Sequence, residues 1–429
     1  MKYHSIDSRL FIKNRNKFMA QMKPKSVAVF NSNDIYPISA DSTLPFEQHR
    51  DIFYLSGIDQ EESILLLFPD APDESQKQML FLKETNEHIA VWEGEKLTKK
   101  AAFEISGIKT VHWLHDFEKV LSEMMGYSET MYINTNEHYR AIVETETREA
   151  RFIKKWKSDY PAHQVAKSNP ILQRLRSVKE SEELDLIQKA CDITEKGFRR
   201  ILPFVQPNIM EYEIEAELIH EFIRHRSKGF AYTPIIASGI NNTVLHYIQN
   251  NQQCKAGELI LLDVAAEYAN YSSDLTRTIP VSGRYSDRQK AVYKSVLRVK
   301  NEATKMLTPG TLLKDYHKEV GKIMTSELLG LGLIDTADIQ NENPEKPAYK
   351  KYFMHGTSHF LGLNTHDYGI VTEPIQANMV FTVEPGIYIP AEGFGIRLED
   401  NVVVQETGEP FNLMRNIPIK IDEIESLMH

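Results

Sequence analysis

Short apolar runs set between polar loops fill the first part of the chain, to about residue 170. Val27–Phe30 and Ser63–Phe68 have the length and continuity of buried strands, and Met79–Leu82 reads the same way. The cluster Pro69-Asp70-Ala71-Pro72-Asp73 closes the second of these with a loop. Stretches of helical texture, such as Lys96–Ile105, alternate with the strands, which predicts an α/β domain. Glu144–Lys157 is dense in charge and reads as a helix. Pro161 and Pro170 then bracket a segment that reads as linker or domain edge.

Beyond this point the period lengthens. Ser181 predicts an N-cap, and Glu182 and Glu183 suit the positive end of a helix dipole. Leu184, Ile187, Cys191, Thr194 and Phe198 then fall on one helical face, and Pro203 and Pro207 end the pattern. A second helix fits Tyr212–His225. A third starts at Ser286, where Gln289 completes a capping box, and runs to about Leu307. Pro309-Gly310 turns the chain into a fourth, Leu312–Leu329. Strand-like runs lie between and after these helices: Leu259–Val264, Asp274–Val281, Asn378–Glu384 and Gly395–Val404. The order predicts an α+β domain, with two related halves around one sheet. Asn341–Lys350 reads as a surface loop.

The length of 429 residues allows two or three domains at roughly 150 residues each. The change of texture favours two, 1–170 and 171–429. Hydrophobic residues at 41% and charged residues at 26% describe a folded enzyme rather than a disordered chain. Fifty basic against sixty acidic side chains leave a net charge of −10, which argues against nucleic acid as the main partner. Two cysteines, Cys191 and Cys254, provide neither a disulfide framework nor a Cys-x-x-Cys pair and read as small buried side chains. The longest aliphatic or aromatic run, Ile64–Phe68, is far short of the roughly 20 residues that span a bilayer. Met1–Ala20 lacks the apolar core of a secretory signal. The expectation is a cytoplasmic protein without a membrane partner.

The chemistry lies in acids embedded in strand-like runs, where acids are normally depleted. Asp263 sits between Leu259-Ile260-Leu261-Leu262 and Val264-Ala265-Ala266, and such a setting predicts burial. A buried carboxylate without a partner is costly. A hairpin centred between Tyr268 and Ala269 would set Asp274 directly opposite Asp263, with Cβ atoms about 5 Å apart. Two bare charges at that distance repel by roughly 3 kcal/mol at an effective dielectric of about 20, and a cation between them reverses the sign. Glu384 ends Met379-Val380-Phe381-Thr382-Val383. Strand alternation puts Arg397 and Glu399 on one face. His355, His359 and His366 fall within twelve residues. A histidine pair four apart on a helix binds zinc, but the glutamate of a His-Glu-x-x-His motif is absent. Together these residues predict a metal site.

These motifs are similar to those of the metal-dependent Xaa-Pro aminopeptidases (aminopeptidase P), relatives of the prolidases and methionine aminopeptidases. The resemblance spans nearly the whole chain. It is carried by Asn242-Thr243-Val244-Leu245-His246-Tyr247, Leu262-Asp263, Asp274-Leu275-Thr276-Arg277-Thr278, the run His355 to His366, Val383-Glu384-Pro385-Gly386 and Gly395-Ile396-Arg397-Leu398-Glu399-Asp400. Phe46-Glu47-Gln48-His49-Arg50-Asp51-Ile52-Phe53-Tyr54-Leu55-Ser56-Gly57 resembles the family's first domain. Thr365 stands where the family usually has Val or Ile.

The resemblance implies a creatinase-like α/β first domain followed by an α+β pita-bread catalytic domain. It implies two divalent ions held by Asp263, Asp274, His359, Glu384 and Glu399, with Asp274 and Glu399 as bridges. Four carboxylates and one imidazole form an oxygen-rich set that suits Mn²⁺, with Co²⁺ or Zn²⁺ as alternatives. The implied reaction is attack of a metal-bridging hydroxide on the carbonyl before proline, in peptides with proline second, with Glu384 carrying the proton. His246 and His366 match residues that contact the substrate backbone, and His355 matches the one lining the proline pocket. Arg397 orients Glu399 or binds substrate, or else forms a salt bridge within the sheet. Trp92 matches a tryptophan presented to a neighbouring subunit, or else is a core residue of the first domain. A homo-oligomer, dimer or tetramer, is expected. A prolidase restricted to Xaa-Pro dipeptides has the same ligands and is the alternative. A methionine aminopeptidase would normally lack so long a first domain. The metal-free hydrolases and non-catalytic binding modules on this fold usually lack several ligand positions.

Overall fold

The computed structural model describes residues 2–138, 140–141 and 144–428. They form two compact units, Tyr3–Arg176 and the chain from Ser177 onward.

The first unit is built on a six-stranded sheet: β1 (Ser26–Asn31), β2 (Ile64–Leu67), β3 (Gln78–Leu82), β4 (Thr110–Trp113), β5 (Thr130–Ile133) and β6 (Gln164–Lys167), in the order β4-β3-β2-β1-β5-β6. Pairs β1–β2 and β2–β3 are antiparallel, and the others are parallel. Val27, Val29, Leu66, Phe81, Met131 and Trp156 meet in one apolar core. The segment bracketed by Pro161 and Pro170 is therefore not a linker. It supplies edge strand β6 and opens the helix Asn169–Ser177, whose first turn tolerates Pro170 because the missing N–H has no partner there. The charged run before it is helical only from Arg148 to Asp159, where the Thr147 side chain caps the Ala150 N–H. Trp92 lies on the helix Glu87–Glu93 and is 78% exposed, so it is no core residue. The Phe46–Gly57 motif folds into α1 (Arg50–Ser56), which ends on Gly57 at φ +72° with the Phe11 ring against its Cα. Asp51 inside this helix is buried and pairs with Arg176 at 2.7 Å.

Glu149 is also buried in this unit and accepts the backbone N–H and the side-chain amide of Asn31 at 2.7 and 3.0 Å. Burial pushes its carboxyl from 4.5 up to about 8. Between these values the folded unit holds more protons than the unfolded chain, so its stability falls as pH rises. All three tryptophans, Trp92, Trp113 and Trp156, lie in this unit. The urea midpoint read by their fluorescence is expected to fall from pH 5 to pH 8, and Glu149→Gln is expected to flatten that slope.

In the second unit four helices carry the expected faces: α2 (Ser181–Ile201), α3 (Glu211–Arg224), α4 (Asp287–Lys305) and α5 (Leu313–Gly330). The Ser286–Gln289 capping box is present. Ser181 is the first helical residue rather than the cap, because Glu180 and Glu183 form the reciprocal box one position earlier. The strands make two antiparallel sheets of three rather than one sheet. One has the order β9 (Thr276–Pro280), β8 (Leu259–Asp263), β7 (Ile235–Ser238). The other joins β10 (Val380–Val383), β13 (Asp400–Val403) and β14 (Phe411–Asn412), while β11 (Gly386–Ile389) and β12 (Phe394–Arg397) form a separate hairpin. The run Gly395–Val404 thus breaks at Leu398-Glu399 and feeds two partners.

Asp263 pairs with Thr276, not with Asp274. Ala269 and Asn270 both take positive φ, 53° and 67°, and form the two-residue turn between Tyr268 and Tyr271. This moves the hairpin centre by one residue and the register by two. A shift of two preserves the face, so the two aspartates stay on one side as diagonal neighbours.

Candidate active site

Asp263 ends β8, and its carboxylate accepts from Tyr232 Oη at 2.6 Å and Arg397 Nη2 at 2.5 Å. Asp274 lies just before β9 and is held through its backbone. Its N–H donates to Asn401 Oδ1 at 2.9 Å, and Asn401 Nδ2 donates back to its carbonyl at 2.7 Å. The histidine segment is extended, not helical, so His355 and His359 do not share a helical face. It runs along β10 through Glu384 N–H to Thr357 O (2.8 Å), Thr382 N–H to His359 O (3.0 Å) and Leu361 N–H to Val380 O (3.0 Å). This pairing sets His359 beside Glu384. Gly362 then lets the chain close on Asp367, whose Oδ2 would lie 2.1 Å from a Cβ at that position. Glu399 sits in the break between β12 and β13, and its N–H donates to Thr276 O at 3.0 Å, joining the two halves.

These paths converge. Ligand atoms of Asp274, His359 and Glu399, all buried, lie within 4.8 Å of one another. His359 Nε2 is 3.4 Å from Asp274 Oδ2 and 3.7 Å from Glu384 Oε1. Asp263 and Glu384 flank this trio without joining it at that distance. His359 Nδ1 lies 2.9 Å from the Phe360 carbonyl, which can only accept, so Nδ1 carries a proton and Nε2 faces the carboxylates; burial opposes a charge on the ring, but the Asp274 hydrogen bond and the Glu384 and Asp274 charges raise its pKa. Acceptors turned toward one another in a buried space fit a cation between them. Burial raises the pKa of Glu384 to about 7 and that of Glu399 well above the ordinary range, with the Asp274 charge adding to the latter. Asp263 is raised by burial despite Arg397. Four carboxylates against one guanidinium leave a deficit that divalent ions offset.

The other predicted residues lie around this centre. His355 Nε2 is 2.8 Å from Tyr388 Oη, and burial lowers its pKa to about 3. The His366 ring meets that of His359 edge-on at 4.4 Å. His246 is exposed, and its charge contributes to lowering the pKa of His355. Arg397 reaches Asp263 and Tyr388 Oη, and its Nε donates to Thr276 Oγ1 at 3.0 Å.

Several participants are not evident from the sequence pattern. Thr276 is buried, and its hydroxyl donates to Glu399 Oε2 at 2.6 Å while accepting from Arg397. Its two-residue spacing from Asp274 was the available signal. Tyr232 and Asn401 gave none, because one lies in a loop and the other reads as an ordinary strand residue.

The model of metallopeptidase family M24 matches residues 185–406, and that of the aminopeptidase P N-terminal domain matches residues 11–132. The Xaa-Pro aminopeptidase of Escherichia coli is 31% identical over 99% of this chain and 98% of its own length. The chain belongs to metallopeptidase family M24. A second relative, human Xaa-Pro aminopeptidase 3, is 30% identical over 92% of this chain and 79% of its own length. Pseudomonas aeruginosa aminopeptidase PepP superposes with a TM-score of 0.88 at 28% identity, covering 99% of this chain and 98% of its own. Zinc-substituted E. coli aminopeptidase P in complex with product gives 0.86 at 31% identity over 99% of both chains.

Thr276→Val removes the hydroxyl that links Glu399 to Arg397 at nearly constant volume. It is expected to weaken metal retention about 10- to 100-fold in chelator competition, whereas Thr276→Ser recovers most of it.

Proposed function

We propose that this chain is a metal-dependent Xaa-Pro aminopeptidase that releases the first residue from peptides with proline second. The observation that carries this reading is the convergence of Asp274, His359 and Glu399 within 4.8 Å, flanked by Asp263 and Glu384. The set of five would hold two divalent ions, Mn²⁺ by preference for its oxygen-rich donors. Ions bound there lower the pKa of coordinated water toward neutrality and polarise a carbonyl oxygen.

The protein groups divide the remaining work. Glu384 is half-buried at the edge of the cluster and carries a proton to the leaving proline nitrogen. Neutral His355, held by Tyr388, presents an uncharged wall to the proline ring. His246 and His366, both exposed, are placed to donate to the substrate backbone and to the oxygen on which charge develops. Arg397 fixes Asp263 and, through Thr276, Glu399. A tertiary amide has no N–H for recognition, so selection falls to ring shape and the free α-amine. The site works on peptides in the cytoplasm, in a homo-oligomer.

Asp274→Asn or Glu399→Gln is expected to abolish turnover together with metal content, measured by elemental analysis after desalting. His366→Ala is expected to lower kcat by about 10²-fold or more with metal content intact. With Mn²⁺ present, Xaa-Pro peptides of three to five residues are expected to be cut. Cleavage of dipeptides alone would make the enzyme a prolidase.

A further inference from the structure

One buried carboxylate of the second unit takes no part in the chemistry above. Glu211 is the first residue of α3 and has no solvent exposure. Its Oε1 accepts Ser238 N–H and Oγ, each at 2.7 Å, at the end of β7. Its Oε2 accepts Tyr247 Oη at 2.7 Å and Gln252 N–H at 2.9 Å. Four donors from three residues thus close on one carboxylate, more than helix capping requires.

What these bonds secure is the turn carrying His246. The Tyr247 ring packs with Ile235, Ala237, Leu261 and Tyr388, and Leu245 packs on the same cluster. The residues before and after His246 are therefore anchored inward, and His246 itself is left exposed. Tyr388 in that cluster touches both His355 and Arg397 through its hydroxyl. A hydrogen-bonded tyrosine and an apolar contact with a site residue together fix the turn relative to the centre.

We propose that Glu211 is a positioning residue for the peptidase reaction, acting through Tyr247 to hold His246 at the substrate. The inference rests on the assignment of His246 to substrate binding. The measurement is a double-mutant cycle on the metal-loaded full chain, with kcat and KM for an Xaa-Pro tripeptide and metal retention for Glu211→Gln, His246→Ala and the pair. Glu211→Gln is expected to lower kcat/KM by about tenfold or more with metal retention unchanged. In the His246→Ala background it is expected to cost no more than about twofold, because residues acting as a unit are not additive. Tyr247→Phe removes one of the four bonds and gives a milder variant with the same expected pattern, which serves if Glu211→Gln does not fold. Additive losses, or loss of metal along with activity, would overturn the proposal and leave the peptidase assignment intact. An unaffected His246→Ala enzyme would overturn both the role of His246 and the proposal, while the same assay still records Xaa-Pro cleavage.

Discussion

Mutual repulsion among buried carboxylates governs the second unit. Asp274 and Glu399 are buried and Asp263 and Glu384 half-buried around His359, where at an effective dielectric of about 20 each close pair costs about 3 kcal/mol. The protein offers one guanidinium in return, and it is committed to Asp263. The backbone is correspondingly rigid there. Asn401 grips Asp274 from both sides, the histidine segment is bonded along β10, and the Glu399 N–H is tied to Thr276. Protonation relieves part of that repulsion, as the raised pKa values of Glu384 and Glu399 show, and a bound cation would relieve the rest.

Much of this was legible in the chain. Acids interrupting apolar strand runs predicted burial, and burial without partners predicted cations. Helix faces and the Ser286 cap followed from periodicity and end chemistry. The errors came where local geometry outweighs pattern. A turn at Ala269-Asn270, with an alanine in the left-handed region, shifted the hairpin register by two. The run Gly395–Val404 alternated well enough to pass for one strand, yet only tertiary pairing reveals the break that places Glu399. Prolines at 161 and 170 suggested a linker, but an edge strand and a helix start tolerate them equally well.

Polar groups that serve other polar groups were least visible. Thr276, Asn401 and Tyr388 look ordinary in sequence, because their value lies in partners more than a hundred residues away for the first two and, for the last, in Arg397 across the β11–β12 hairpin and His355 in the histidine segment. Family resemblance named the outer histidines and Arg397 but not the hydroxyl that connects Arg397 to Glu399. The geometry adds that link.

The spread of the acids along the chain has a consequence for biogenesis. Asp263 emerges from the ribosome first among them and Glu399 last, 399 − 263 = 136 residues later. A partly synthesised chain can gather only a fraction of these acids. The full set of acids comes together only after Glu399 has been made and the long loops have closed. The order of the acids along the chain thus makes the site a late product of synthesis, completed only by the last of its strands.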